Sequence, residues 1–441
     1  MATQTEAQGG PTLVTSENPV ARFLKATEID TRMLGMVGAL LLIWVGFHVY
    51  GLVVQGNGTF LTARNLWNLS VQFSSIAVMA TGMVLIIVMR HIDLSVGSML
   101  GFVAMLMAAL QVWILPDYLG LGHPAIWIIT VIFGLLMGAF IGFLNGLMIA
   151  YLGIPAFIVT LGGLMVFRGA SWWVARGETI SPVDQTFTLI GGGPYGTVGW
   201  LGTWLVGALL VAGLILSIAG GRRQRQRFGF PLRPLWAEYT LAGIGIAVIL
   251  LVCLVMNSYP WPIGIVKQYV AANNITTPPE ELVISHGFAI PVLIALAVGI
   301  GMTFLANRTR FGRYVYAIGG NPEAAELAGI NTRWMTVKVF ALMGLLVGIS
   351  ATISSARLQS ASNNLGQFDE LFVIAACVIG GTSLAGGAGT IYGAMLGALV
   401  MQSLQSGMVL NGFDSAYQQM AVGAVLVIAV FIDTLYRRRA K

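Results

Sequence analysis

The sequence predicts an all-α polytopic membrane protein, and three observations carry that prediction. Charged residues make up 9% of the 441, apolar residues make up 57%, and apolar runs long enough to cross a bilayer recur along the chain. Ordinary soluble domains are about one quarter charged. A chain with so few charges cannot cover a water-facing surface of this size, so lipid must be its main solvent. The composition therefore disfavours a soluble enzyme, a secreted disulfide scaffold and a disordered regulator. Glycine, at 56 residues, is roughly twice its usual ~7% share, which suits helices that pack closely within a bilayer.

The elements follow in order. Residues 1–32 form a polar tail that includes Glu6, Glu17, Glu28 and Asp30. It lacks the basic start, short apolar stretch and cleavage site of a signal peptide. About twelve spans are then expected, at 33–54, 68–89, 96–115, 125–150, 153–175, 200–220, 238–257, 288–306, 336–356, 371–385, 391–410 and 418–435. The fifth and tenth read as interrupted or short, and so as candidates for re-entrant segments. A basic tail, 436–441, ends the chain.

The basic residues orient this map. With the N-terminus inside, the inner segments hold Arg22, Lys25, Arg32, Arg90, Arg222, Arg223, Arg225, Arg227, Arg233, Arg308, Arg310, Arg313, Arg333, Lys338, Arg437, Arg438, Arg439 and Lys441. The outer ones hold Arg64, Arg168, Arg176, Lys267 and Arg357. That 18-to-5 split obeys the positive-inside rule and predicts cytoplasmic N- and C-termini. The Arg222–Arg227 run then connects two spans and predicts no nucleic-acid partner. Cys253 and Cys377 both lie in apolar runs and read as small apolar fillers. The four histidines, His48, His91, His123 and His286, are widely separated and form no metal-ligand motif.

Four places break the apolar pattern. In Ile92-Asp93-Leu94-Ser95-Val96-Gly97-Ser98 two spans meet with almost no loop. Asp93 and Ser95 suit the N-cap of a helix starting at Val96; equally, the segment suits a broken helix whose backbone lines a polar path. In Gly153–Gly163, Pro155 suits a first helical turn, and Gly162 and Gly163 suit close backbone approach; Arg168 follows, a charge that either snorkels or faces a polar path. Val378–Thr390 is a glycine-rich turn carrying Thr382 and Ser383. It lacks the Lys-Ser/Thr ending of a phosphate loop, and its likeness to the Asp93 region suggests an internal repeat. The inner loop 307–338 contains a self-contained helix: Asn321 as N-cap, Pro322 at the first position, Glu323 and Glu326 near the positive end, and Gly329 as the stop. It reads either as a capped surface helix or as a docking helix with Leu327 and Ile330 as apolar knobs.

Together, Ile92–Ser98, Phe157–Gly162, Gly319–Ala325 and Ile379–Gly387 resemble the bacterial ABC-transporter permeases of the ribose, galactose, arabinose and xylose uptake systems, in matching order over about residues 60–435. The resemblance implies one permease domain over 33–435, with a ten-span core and an inserted pair of helices in 200–257. The insertion, with Gly177–Pro182 before it, looks most like the xylose-type permeases, although the outer segment Asn257–His286 is longer than that subgroup leads one to expect. It further implies a homodimer forming the pore in the bacterial inner membrane, a cytoplasmic ABC ATPase that uses ATP and Mg, and a periplasmic sugar-binding protein. The chain itself is expected to bind no cofactor and to catalyse no reaction. Residues Gly320, Asn321, Pro322, Glu323, Ala324, Ala325, Glu326, Leu327 and Gly329 become the expected coupling helix. Asp93, Ser95, Ser98, Asn145, Thr160, Thr382 and Ser383 become the expected path and gate, with Gln402 and Gln405 on one face of the eleventh span.

Two other classes compete. An ion-coupled secondary transporter wants a carboxylate at mid-depth, whereas Asp93, Asp369, Glu370, Asp414 and Asp433 fall at or near predicted span ends. A membrane enzyme wants a catalytic pair, and the Pro-Glu-Glu near residue 280 has no nearby partner in the sequence.

Overall fold

A computed structural model describes residues 23–24 and 26–440. Of the predicted tail 1–32, residues 1–22 and Lys25 lie outside the described residues, as do Lys441 and the side chains of Arg437–Arg439. Among the described residues, ten helices are long and apolar enough to cross a membrane. They are α1 (Thr31–Gln55), α2 (Ala63–Val88), α3 (Val96–Ala109, prolonged through a π-turn to Leu119), α4 (Ala125–Tyr151), α5 (Ala156–Ala175), α6 (Gly199–Arg227), α7 (Leu235–Asn257), α9 (Ile290–Arg308), α12 (Thr332–Leu358) and α14 (Ile391–Leu410). Shorter helices are α8 (Ile263–Ala272), α10 (Arg310–Gly320), α11 (Pro322–Leu327) and α13 (Asp369–Ile379), and α15 runs Ser415–Ala440.

Two of the expected spans look different in three dimensions. The fifth is not interrupted: Pro155 sits at the N-cap, where its missing N–H is harmless, and α5 then runs unbroken for 20 residues. Gly162 does not bring a neighbouring backbone close, since open space surrounds it. The tenth is short. With 11 residues, α13 rises only ~16 Å at 1.5 Å per residue, about half of a ~30 Å hydrocarbon core. Its last turn lies level with the start of α14, where Gly380 packs on Gly393 and Gly397 on Ala376, and the irregular stretch 380–390 joins the two.

The core is built on α2 and α12. From Ser74 to Val88 every residue of α2 is buried, so this helix is enclosed on all sides. The helix pair α4–α12 makes the closest approach. Along α4, Gly134, Gly138, Gly142 and Gly146 recur every fourth residue and form one bare stripe. A side chain on Gly142 would run into the Phe340 carbonyl and the Gly344 backbone, and one on Gly344 into the Gly138 carbonyl. Without a hydrophobic driving force between helices in lipid, such backbone-to-backbone packing is what joins them.

The inserted pair α6–α7 leans on the core from the side. Gly207 faces the Cys253 sulfur, and both cysteines are buried and free, as small fillers are. Thr203 Oγ1 accepts the Phe288 N–H at 2.9 Å, and Trp67 Nε1 donates to the Gly287 carbonyl at 2.8 Å, which ties α6 and α2 to the segment before α9. At the end of the bundle that carries the arginines, Arg225 and Arg233 both donate to the Glu28 carboxylate, at 2.6 and 2.7 Å. These two hydrogen-bonded cations hold the Glu28 carboxyl at a pKa of about 2, below its ordinary 4.5.

Two predictions follow from this packing. Gly142→Leu should lower the thermal midpoint of the purified protein and its level in the membrane, since wedging apart two backbones costs at least about 1–3 kcal/mol. Gly301→Ala, with open space around it, should leave both unchanged; equal loss in the two variants would refute the packing argument. The Glu28 clamp gives a pH signature. Because its folded pKa lies below the unfolded one, its stabilisation is present above 4.5 and fades as pH falls toward 2. The difference in thermal midpoint between wild type and Glu28→Gln should therefore be constant at neutral pH and vanish over that window.

Candidate functional site

A polar cavity of about 580 Å³ opens among α2, α12, α14 and the 362–369 connection, at the end of the bundle opposite the arginines. Small-molecule sites are commonly ~300–1,000 Å³. Its walls come from polar stripes on otherwise apolar helices. On α2, Asn65, Asn68, Gln72 and Ser75 recur at three- and four-residue steps, which places them on one face. Gln402, Gln405 and Ser406 do the same on α14, while Ser354 and Arg357 come from α12 and Asp369 from the start of α13.

These side chains are joined across helices. Gln402 Nε2 donates to Gln72 Oε1 at 3.1 Å and to Gln405 Oε1 at 3.3 Å. Ser406 Oγ donates to Asn65 Oδ1 at 3.4 Å, and Ser354 Oγ to Ser75 Oγ at 2.9 Å. Gln72 and Gln405, used in this way as acceptors, keep their NH₂ groups for other partners, whereas Asn65 donates its own to the Phe60 carbonyl at 2.8 Å. The cavity thus presents many neutral donors and acceptors, the chemistry that matches hydroxyl groups. Behind its lower wall, Arg168 Nη1 donates to the carbonyls of Asn363 and Leu365, so this arginine neither snorkels nor faces the cavity but holds the connecting loop. Glu370 is buried beside Gly97 and Gly366.

The residues expected at a path or gate gather elsewhere, at the arginine-bearing end. Asp93 Oδ1 accepts both the Ser95 N–H (2.9 Å) and the Ser95 hydroxyl (2.6 Å). Ser95 therefore occupies the N-cap of α3 without capping it, because its hydroxyl is already engaged. Asn145 Nδ2 reaches Ser95 Oγ at 3.4 Å, Ser98 Oγ donates to the Ser95 carbonyl at 3.0 Å, and Thr160 Oγ1 donates to the Ile92 carbonyl at 3.3 Å. Five expected residues thus form one buried knot joining α3, α4 and α5. Thr382 and Ser383 are buried in the separate 380–390 turn, whose backbone is closed by Ser383 N–H to the Ala388 carbonyl at 2.8 Å. Neither group lines the open cavity. Of the residues named from sequence, Gln402 and Gln405 do. The stripe on α2 was overlooked, although its 3–4 spacing is legible; Arg357 and Asp369 read as loop charges until the fold turned them inward.

The helix α11 forms as its residues dictate. Asn321 Oδ1 accepts the Ala324 N–H at 3.0 Å, Pro322 fills the first position, and Gly329 ends the turn with φ +83°, where a side chain would be strained. Leu327 is 91% exposed, an apolar knob presented outward. Next to α11, the Arg90 guanidinium donates to the carbonyls of Gly319 (2.8 Å) and Gly320 (2.6 Å) at the end of α10. Gly387 N–H donates to the Val88 carbonyl at 2.9 Å, and Tyr316 Oη to the Gly389 carbonyl at 2.7 Å. The end of α2, the α10–α11 pair and the 380–390 turn are therefore one hydrogen-bonded assembly.

Residues 65–430 match a family model described as the permease component of the branched-chain amino acid transport system. The chain is 35% identical over 415 residues to the xylose transport system permease protein XylH of Haemophilus influenzae, covering 94% of this chain and 99% of that protein. The same identity holds to XylH of Escherichia coli, over 94% of each chain. The ribose import permease protein RbsC of E. coli is 31% identical over 374 residues, 85% of this chain and 87% of that one. No solved structure matches. With a family match over most of its length and ten helices of membrane-crossing size among the described residues, the chain belongs to this family of transport-system permeases and is a multi-pass membrane protein.

Proposed function

We propose that the chain is the permease of an ATP-driven ABC importer of the bacterial inner membrane, with xylose or a similar neutral pentose as its cargo. The observation that carries the reading is the cavity, walled by amides and hydroxyls from three core helices. The names and coverage of the relatives point to the same class of solute. In this reading the arginine-bearing end is cytoplasmic, the cavity faces the periplasm and a sugar-binding protein, and two copies of the chain make the pore.

The α11 helix, with Glu323, Ala324 and Leu327, is the seat for an ABC ATPase that binds ATP and Mg. Closure of the ATPase pushes α11. Arg90 passes the displacement to the end of α2, and the Gly387–Val88 and Tyr316–Gly389 bonds pass it to the turn that starts α14. Because α2 and α14 also wall the cavity, the push changes access to it. The permease supplies no covalent chemistry; it supplies two packings biased by the partner. The Asp93 knot and the Thr382–Ser383 turn are the inner gate.

Co-expression with an ATPase and a binding protein should give vesicle uptake of labelled xylose, ribose or arabinose that dies with ATP depletion and survives collapse of the proton gradient. Uptake that follows the gradient instead would establish an ion-coupled carrier. Arg90→Ala, Glu323→Arg and Gly329→Trp should each reduce uptake at least about tenfold, within the usual range of coupling between sites, at normal membrane levels. Transport at the wild-type rate in these variants would sink the coupling route.

A further inference from the structure

The inserted pair ends in an exposed, cationic elbow. Its helix α6 has 29 residues, which at 1.5 Å per residue makes about 43 Å, more than a ~30 Å hydrocarbon core. Trp200, exposed near the outer end, is the kind of ring that sits at a membrane interface. Arg223 and Arg227 follow about 35 and 40 Å farther along the axis, which is the depth of the inner headgroups. Five arginines meet two carboxylates there. Arg222 pairs with Glu238 at 2.9 Å, and Arg225 and Arg233 both pair with Glu28. Arg223 and Arg227 are exposed and make no ion pair or hydrogen bond among the described residues.

The two free arginines continue the lipid-facing side of α6. Leu205, Leu209, Leu216, Arg223 and Arg227 follow one another at steps of four and seven residues, which is one face of a helix. The three leucines are 59%, 73% and 71% exposed, so this face looks into the acyl chains. A phospholipid lying along it brings its phosphate to the arginines. In the turn that follows, Phe228 and Phe230 are also exposed. Exposed rings beside unpaired cations make a surface that seats at the boundary of headgroups and acyl chains. The positive-inside rule asks only that these arginines stay inside. It does not ask that two of them stand unpaired on the lipid-facing stripe.

We infer that the cytoplasmic elbow of α6–α7 is a binding site for an anionic phospholipid, whose phosphate is held by Arg223 and Arg227 and whose chains lie along Leu216 and Phe228. The inside orientation is taken from the importer reading above; the cargo does not enter. Each guanidinium can donate two parallel hydrogen bonds to phosphate oxygens. A headgroup such as glycerol leaves the phosphate charge for the two arginines, whereas choline brings a cation of its own. The bound lipid fastens the cytoplasmic end of an insertion that is otherwise held there by the Glu28 and Glu238 pairs.

The test uses the full-length permease in neutral detergent, with bound lipid counted by native mass spectrometry as phosphatidylglycerol or phosphatidylcholine is titrated in. Wild type should bind phosphatidylglycerol at least about tenfold more tightly, the scale expected of two cations beside an anionic headgroup. Arg223→Gln/Arg227→Gln should bring the two lipids to within about twofold of each other. Arg308→Gln/Arg310→Gln, which removes two exposed arginines at the same end of the molecule, should keep the wild-type preference.

An unchanged preference in Arg223→Gln/Arg227→Gln would overturn the inference. Equal loss in the Arg308–Arg310 control would too, since it would mean diffuse attraction to the whole cytoplasmic end. Displacement of the lipid by inorganic phosphate at matching concentration would replace the lipid site by a free-anion site. Loss of the co-purified ATPase in the Arg223–Arg227 variant, with no lipid preference in wild type, would make the elbow a protein-docking surface and end the inference. In wild type alone the preference should shrink as ammonium acetate is raised; a preference indifferent to salt would overturn the inference without any variant.

Discussion

A bilayer offers no water to backbone that leaves the helix, and this constraint organises the molecule. Wherever the chain departs from helix within the bundle, a side chain or a neighbouring backbone group has to satisfy it. Arg168 holds the carbonyls of Asn363 and Leu365, Arg90 those of Gly319 and Gly320, and Thr160 that of Ile92. The Gly387 amide serves the last carbonyl of α2. Each of these anchors fixes an irregular segment that borders the cavity or the arginine-bearing end. The two regions with functional geometry are therefore the two regions where the helical solution was given up.

The glycines serve this plan in two distinct ways. On α4 and α12 they remove side chains so that two helices meet backbone to backbone, making a rigid wall. In the 380–390 turn, Gly381, Gly386 and Gly387 adopt positive φ of +84°, +87° and +76°, a conformation that side chains disfavour. That turn can thus fold tightly against Val88 and Gly319. One set of glycines stiffens the frame, and the other lets the non-helical 380–390 turn join α13 to α14 in close contact with the end of α2 and with α10.

The inserted pair α6–α7 stands apart from this economy. It touches the core through Trp67, Thr203 and Phe288, and at the arginine-bearing end it is clasped by Glu28 through two exposed ion pairs. Such pairs are screened by salt and contribute little by themselves. No residue of the insertion lines the cavity, which fits an element added around a permease core rather than built into it.

By itself the sequence determined the membrane class, the helices and the caps of α11, because these depend on local quantities. A run of apolar residues is apolar wherever it sits, and Asn321, Pro322 and Gly329 act within one turn. It also determined that the Asp93 stretch and the Thr382 stretch break the spans. What only the tertiary structure decided was which polar residues share a space. Asp93, Ser95, Asn145 and Thr160 meet in one knot, but Thr382 and Ser383 lie in another, and neither reaches the cavity. Asp369 and Arg357 looked like charges in an outer loop until the fold brought the start of α13 and the end of α12 to one cavity wall. Depth and facing are properties of packed helices, and no local pattern along one helix records them.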